Sequence, residues 1–284
     1  MDVIKLNLAR NCLKYLIQVY AIRRIYLPYY TCSVVWNSAR EENCEVKFYH
    51  IDKDFLPTEK FEENDFILYT NYFGINSKNC KNLAKKYPNL IVDNSHSFFC
   101  KPLGLASFNS LRKFFNVQNG AYLFTSKQLG QVFDVDNLEL QPVSMQENYE
   151  KFLKNELFLD SQKQIKAISP KVEKMMNDID FEAESIKRVR IFKQYEKVLK
   201  NFNNIQLDLN NGDIPYCYPF SPNSEIIKRK LWSKNLVLLQ LWKNFPKSFI
   251  ESEFLNDTIA LPLDNAEYAE KIIEIINYKL NFNK

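Results

Sequence analysis

Four residues of one short stretch have the types needed for proton transfer and imine chemistry: Asp93, His96, Ser107 and Lys113. Asp93 closes the apolar, β-branched run Leu90-Ile-Val92, which reads as a buried parallel strand with the acid at its carboxyl end. Open α/β sheets bind ligands at that end. Residues 105–108 form a second short strand that delivers Ser110-Leu-Arg112-Lys113 into a turn, and residues 120–124 form a third, entered through Gln118-Asn119-Gly120. A lysine desolvated at such a strand end can lose its proton, form an imine with a carbonyl carbon and then act as a base. Alone, Asp93 would read as a turn cap and His96 as a structural histidine. Their spacing, with Ser107-Phe108 downstream, points to a site.

The elements that must position these groups alternate along the N-terminal half. The spacing predicts a helix over 8–22, capped by Asn7 and closed by Arg23-Arg24, with Leu13, Leu16, Ile17 and Tyr20 on one face. A strand at 25–28, a helix over 31–42 capped by Thr31, and a strand at 45–49 follow. A strand at 66–69 and a helix over 77–87, ended by Pro88, lead to the strand at Leu90. Strands alternating with helices of this length predict a mainly parallel sheet with helices on both faces. Farther on, the pattern predicts helices over 145–168 and 181–202, an extended segment at 214–220 whose two prolines forbid a helix, a helix over 224–233, strands at 236–240 and 259–262, and a terminal helix over 265–280.

Composition excludes several function classes. The 284 residues are 46% hydrophobic, enough for a substantial core. The net charge of +4 comes from 38 basic and 34 acidic residues mixed along the chain, so no basic block suggests a nucleic-acid partner. The six cysteines form no Cys-x-x-Cys pair and only two histidines occur, which argues against a metal site. No signal-peptide core is visible and no apolar run approaches the roughly 20 residues needed to span a bilayer. A cytoplasmic protein with reduced thiols is the expectation.

The stretch resembles the sugar aminotransferases among the fold-type I pyridoxal-phosphate enzymes. Asp93-Asn-Ser-His96 fits the family's Asp-x-x-His strand end, and Ser107-Phe108, Lys113 and Gly120 fit its Ser-Phe, lysine and hairpin. Leu27-Pro-Tyr-Tyr-Thr31, Phe48-Tyr-His-Ile-Asp52 and Asn71-Tyr-Phe-Gly74 fall in order before them, and Leu241-Trp242 and Leu261-Pro-Leu-Asp264 after them. The resemblance implies an α/β fold with a mainly parallel central sheet and a small C-terminal α+β domain. It divides the chain at a boundary near residue 140, with a cofactor-binding domain over 1–140 and a helical connection plus small domain over 141–284.

It also implies pyridoxal 5'-phosphate as cofactor. Asp93 would pair with the pyridinium nitrogen, His96 would sit near the phenolic oxygen, Ser107 would contact the phosphate and Lys113 would be the Schiff-base lysine. Arg10, Thr31, Cys32 and Arg112 complete the implied cofactor-binding set. Counted without a gap from Ser107-Phe108, the lysine position falls on Arg112, and Lys113 fits it only if the turn is one residue longer. A guanidinium cannot form the imine. Cys32 stands where many members carry a ring-stacking aromatic, and Ala9-Arg10 stands where the first helix opens with Gly-Thr or Ala-Thr.

The implied activity is transfer of an amino group from an amino acid to a nucleotide-linked keto-sugar in surface-polysaccharide biosynthesis, by a homodimer. The alternative is a catalytically silent relative that binds a sugar, nucleotide or partner protein.

Overall fold

The computed structural model describes residues 1–222, 229, 236–242 and 246–280. The helix expected over 224–233 lies, Arg229 apart, outside the described residues. A seven-stranded sheet has the order β1 (Asp2–Leu6), β7 (Ala121–Thr125), β6 (Ala106–Asn109), β5 (Leu90–Asn94), β4 (Ile67–Thr70), β2 (Arg24–Pro28), β3 (Glu45–Tyr49). β7 is antiparallel to both neighbours and the pairings among β2 to β6 are parallel, so six strands end at one edge.

Side chains alternate across this sheet as the pleat requires. Leu68, Ile91, Ala106 and Phe108 face α1 (Ala9–Val19) and α2 (Ser33–Glu41), packing with Leu13, Leu16 and Val35. Ile67, Tyr69, Leu90 and Val92 face the other way, toward Cys80 and Leu83 of α3 (Ser77–Lys86). Burying each such large apolar side chain stabilises the fold by roughly 1.5–3 kcal/mol.

That second core continues without a break into the C-terminal half. There α6 (Phe181–Leu199) and α7 (Ala266–Leu280) accompany an antiparallel sheet in the order β8 (Cys217–Phe220), β10 (Ile259–Pro262), β9 (Leu239–Gln240).

Three local expectations need correction. Asn7 does not cap α1; its Oδ1 accepts from Asn11 Nδ2 and from the Lys166 backbone N–H, the cap position is Leu8, and Arg24 belongs to β2 rather than to the helix end. Thr31 does not cap α2, whose cap position is Cys32; the Thr31 hydroxyl bonds Thr70 Oγ1 at 3.1 Å. The helix expected over 145–168 is α4 (Tyr149–Ser161) alone. The chain then runs extended beside β1, where Asn7 N–H donates to Lys166 O and Ile168 N–H to Lys5 O. Ser169 caps a new helix, α5 (Pro170–Asn177), with Pro170 at its start.

One glycine couples the two sheets. Gly74 has φ +77°, and a Cβ there would stand 2.2 Å from His96 O and 2.9 Å from Ile214 O. The turn after β4 can therefore press against the loop after β5 and the strand leading into β8, where Tyr216 N–H donates to Phe73 O at 2.8 Å.

Candidate active site

β5 is a central strand, so Asp93 near its carboxyl end is buried, and one backbone hydrogen bond, from Ser95 N–H at 2.8 Å, reaches its Oδ1. Burial raises its pKa, while the charge of Lys113 and the Ser95 hydrogen bonds pull it back down. Lys113 closes a short 3-10 turn after β6 (Leu111–Lys113). Desolvation lowers its pKa, opposed by its electrostatic interaction with Cys32 and Asp93 and helped by Arg112. Among the described residues its Nζ has no ion-pair or hydrogen-bond partner, and it stands 5.9 Å over the Tyr216 ring. A desolvated, unpaired lysine opposite a buried carboxylate is equipped to lose its proton and take it back.

His96 is 1% exposed and lies between two aromatic planes. The Tyr216 ring is 4.5 Å away at 16° and the Trp242 ring 5.3 Å away at 1°. Burial first, and the charge of Lys113 second, push its pKa well down, so the ring is neutral. Among the described residues its Nδ1 has no hydrogen-bond partner. The fully buried Ser107 Oγ and Tyr72 hydroxyl lack partners too. Buried polar atoms are nearly always paired, so the unpaired His96 Nδ1 at the β5 strand end marks a place where a polar ligand can complete the bonding.

The other sequence-predicted residues are distributed differently. In the β5–β6 register Ser107 lies beside Val92 and Phe108 beside Asp93, so Ser107 and Asp93 point to opposite faces of the sheet. Ser110, still extended at φ −133° and ψ 115°, falls by the same alternation on the face of Asp93, three residues before Lys113. Arg112 turns away from the site: both terminal nitrogens bond the carboxylate of Glu156 on α4, Nη2 at 2.8 Å. Arg10 bonds Asp160 on the same helix at 2.6 Å. Cys32 faces Lys113 electrostatically, and Thr31 is engaged with Thr70.

The structure thus brings Asp93, Lys113, His96 and Cys32 together and ties Arg10 and Arg112 to α4. Tyr216, which the sequence pattern places in an extended segment, and Trp242, named only in a family match, are the rings that flank His96. Ser110 carried a local signal in its Ser-x-x-Lys spacing to Lys113.

All six cysteines are free. Among the described residues there is no group of three metal-binding side chains, and no helix is long and apolar enough to cross a membrane.

No protein-family model matches the chain, and no curated protein matches it by sequence. Solved structures do match. PseC of Helicobacter pylori, an aminotransferase involved in the biosynthesis of pseudoaminic acid, superposes with a TM-score of 0.65 at 15% identity over 99% of this chain and 87% of its own. A DegT/DnrJ/EryC1/StrS aminotransferase from Brucella abortus gives 0.62 at 15% identity, covering 98% of this chain and 86% of its own. The sugar aminotransferase CalS13 of Micromonospora echinospora gives 0.63 at 8% identity, covering 98% and 87%. At such identities the likeness establishes architecture: the chain has the fold-type I architecture of the sugar aminotransferases.

Proposed function

We propose that this chain is a pyridoxal-phosphate-dependent aminotransferase that acts on a nucleotide-linked keto-sugar in surface-polysaccharide biosynthesis, with an amino acid as donor, as a cytoplasmic homodimer. The cofactor domain of this proposal covers residues 1–140, and residues 141–284 form the helical connection and the small domain. One observation carries it: Lys113, whose Nζ has no ion-pair or hydrogen-bond partner among the described residues, acts electrostatically on both the buried Asp93 carboxylate and the buried His96, whose Nδ1 is unpartnered.

The donor set fits the cofactor. Asp93 has acceptor capacity beyond its one backbone bond and would hold the ring nitrogen in its protonated form. His96, neutral and unpaired at Nδ1, would hold the phenolic oxygen. Ser110 is better placed than Ser107 for the phosphate, because it shares the face of Asp93. When bound, pyridoxal phosphate supplies an electron sink for the carbanion at the substrate carbon.

The chain's own part is proton traffic and exclusion of water. Lys113, made less basic by desolvation, takes the proton from the substrate carbon on Nζ and returns it to the neighbouring position. The Tyr216–His96–Trp242 stack keeps the imidazole neutral and closes that side of the site to water.

The test is to load the purified protein with pyridoxal phosphate, reduce with borohydride and map the labelled peptide by mass. The expected result is a visible band and a phosphopyridoxyl label on Lys113, with neither label nor transamination in Lys113→Ala. Undiminished turnover by Lys113→Ala would remove the assignment.

A second reading is a silent relative that binds a sugar, nucleotide or partner protein. Two points favour it: the resemblance puts Cys32 where many members carry a ring-stacking aromatic, and both arginines of the implied cofactor set, Arg10 and Arg112, are already held by carboxylates of α4. Absence of band and label in the same experiment selects it.

A further inference from the structure

The turn after β6 presents two cations in succession, and their treatment is opposite. The planar fork of Arg112 meets both oxygens of Glu156, with the Nη2–Oε2 bond at 2.8 Å, the strong bidentate form of a guanidinium–carboxylate pair. Lys113 is left without an acid in bonding distance among the described residues.

The helix that supplies Glu156 is itself unusual. Tyr149, Leu153, Leu157 and Phe158 of α4 are exposed, while Leu159 is buried and Glu156 is half-buried. An apolar face therefore contributes little to holding α4 on the body. Its polar ties include Glu156–Arg112, Asp160–Arg10 and Asn155 Nδ2 to Gln141 O.

We propose that Glu156 is a positioning residue: by taking Arg112 into a bidentate pair it keeps the guanidinium out of the lysine site and leaves Lys113 as the amine that faces Asp93. The inference rests on the proposed function only in taking Lys113 as the acting amine. A guanidinium stays charged at any working pH, and its fork matches a carboxylate better than an ammonium does. Freed from Glu156, Arg112 would compete with Lys113 for Asp93, a buried acid with one backbone bond. The groups that act on Lys113 are Cys32 from the start of α2, Asp93 and His96 from the end of β5, Arg112 from its own turn, Glu156 from α4, and Tyr216 and Cys217 from the start of β8.

The experiment reads the amine before any cofactor is added. Competitive acetylation of cofactor-free protein with trace labelled acetic anhydride, mapped by mass across pH, gives the titration midpoint of Lys113. Pyridoxal phosphate with borohydride then gives the fraction of label on Lys113. In Glu156→Gln the uncompensated guanidinium lowers the midpoint by about one pH unit and cuts the label about tenfold. Glu156→Asp retains the wild-type values. Arg112→Leu alone raises the midpoint, because Glu156 then faces Lys113 without its cation.

The double variant Arg112→Leu with Glu156→Gln returns both readings to wild type, which loss of a mere helix anchor would not do. An unchanged midpoint in both Glu156→Gln and Arg112→Leu overturns the proposal. So does a double variant as impaired as Glu156→Gln. Wild-type protein that follows the midpoint pattern yet takes no pyridoxal label removes the cofactor reading and leaves the role of Glu156 standing.

Discussion

The chain has two histidines, each just past the carboxyl end of a parallel strand, and they differ in how their bonds are satisfied. His50 follows the edge strand β3. Its Nδ1–H donates to Glu251 Oε2 at 2.9 Å, its backbone N–H donates to Glu59, and Glu251 also accepts from Ile51 N–H at 3.0 Å. His96 follows the central strand β5, is more deeply buried, and has an Nδ1 with no partner among the described residues. Both rings are packed against aromatics, His50 by Tyr29 and Phe249, His96 by Tyr216 and Trp242. Packing therefore does not separate them. Hydrogen-bond satisfaction does: the first is a closed structural joint, and the second is an unfinished one where a ligand can complete the count.

The largest effect that sharpens this contrast is expected at the closed joint. Glu251 is fully buried and links the large sheet to the C-terminal half through two donors. Glu251→Ala leaves the buried Ile51 N–H and the His50 Nδ1–H without an acceptor and should destabilise the protein by about 3 kcal/mol. Equilibrium denaturation measures it. A loss below about 0.5 kcal/mol would mean the joint is an ordinary surface pair and the contrast with His96 is false.

The same contrast explains what was legible from residues alone. The alternation of strand and helix predicted β2 to β7 and α1 to α3 to within a few residues, because each element carries its own apolar period. β1 was missed, since Asp-Val-Ile-Lys-Leu is short and mostly exposed, and its pairing partner β7 lies more than a hundred residues away. The helix expected over 145–168 stopped early because residues 166–168 pair with the chain at β1, a long-range contact that overrides helical spacing.

The placement of Asp93 at the end of β5 and of Lys113 in the turn after β6 was readable from local pattern. The fate of Arg112 was not, because Glu156 is 44 residues away, on a helix that leaves Tyr149, Leu153, Leu157 and Phe158 exposed and so carries no clear apolar face toward the body. Tyr216 and Trp242 reach His96 from the C-terminal half, which no local spacing reveals.

Acid tests the open joint next. The pKa of His96 is well below 6.5 in the folded protein and returns to about that value on unfolding. Below pH 6.5 the unfolded chain binds a proton that the folded chain refuses, so stability must fall as pH falls, by up to about 1.4 kcal/mol per pH unit. Asp93 has the opposite sign. Its pKa is raised on folding, so the cost of burying its charge, present at higher pH, is relieved as pH drops through the folded value toward 3.8. Between pH 6.5 and 5 the His96 contribution should therefore lower stability as the pH falls. Subtracting the pH profile of a His96→Phe variant isolates it. Parallel wild-type and variant profiles would mean that His96 is protonated in the folded protein.

The smallest effect is also the most direct on the meaning of an unpaired atom. His96→Phe keeps a flat ring between Tyr216 and Trp242 and removes Nδ1, the atom whose burial goes uncompensated. At neutral pH, without ligand, stability should rise by about 1 kcal/mol, since an unsatisfied buried polar group is replaced by an apolar one. The corresponding His50→Phe strips the buried Glu251 of its partner and should lose about 3 kcal/mol. Opposite signs from the same substitution at two strand ends would fix the distinction between closed and open joints. If His96 completes its bonding with the cofactor, the variant that gains stability should retain pyridoxal phosphate about tenfold more weakly, the equivalent of one hydrogen bond. A variant that becomes more stable yet holds the cofactor as tightly would show Nδ1 to be an unpaired atom of the core, with the ligand held elsewhere along the β5 edge.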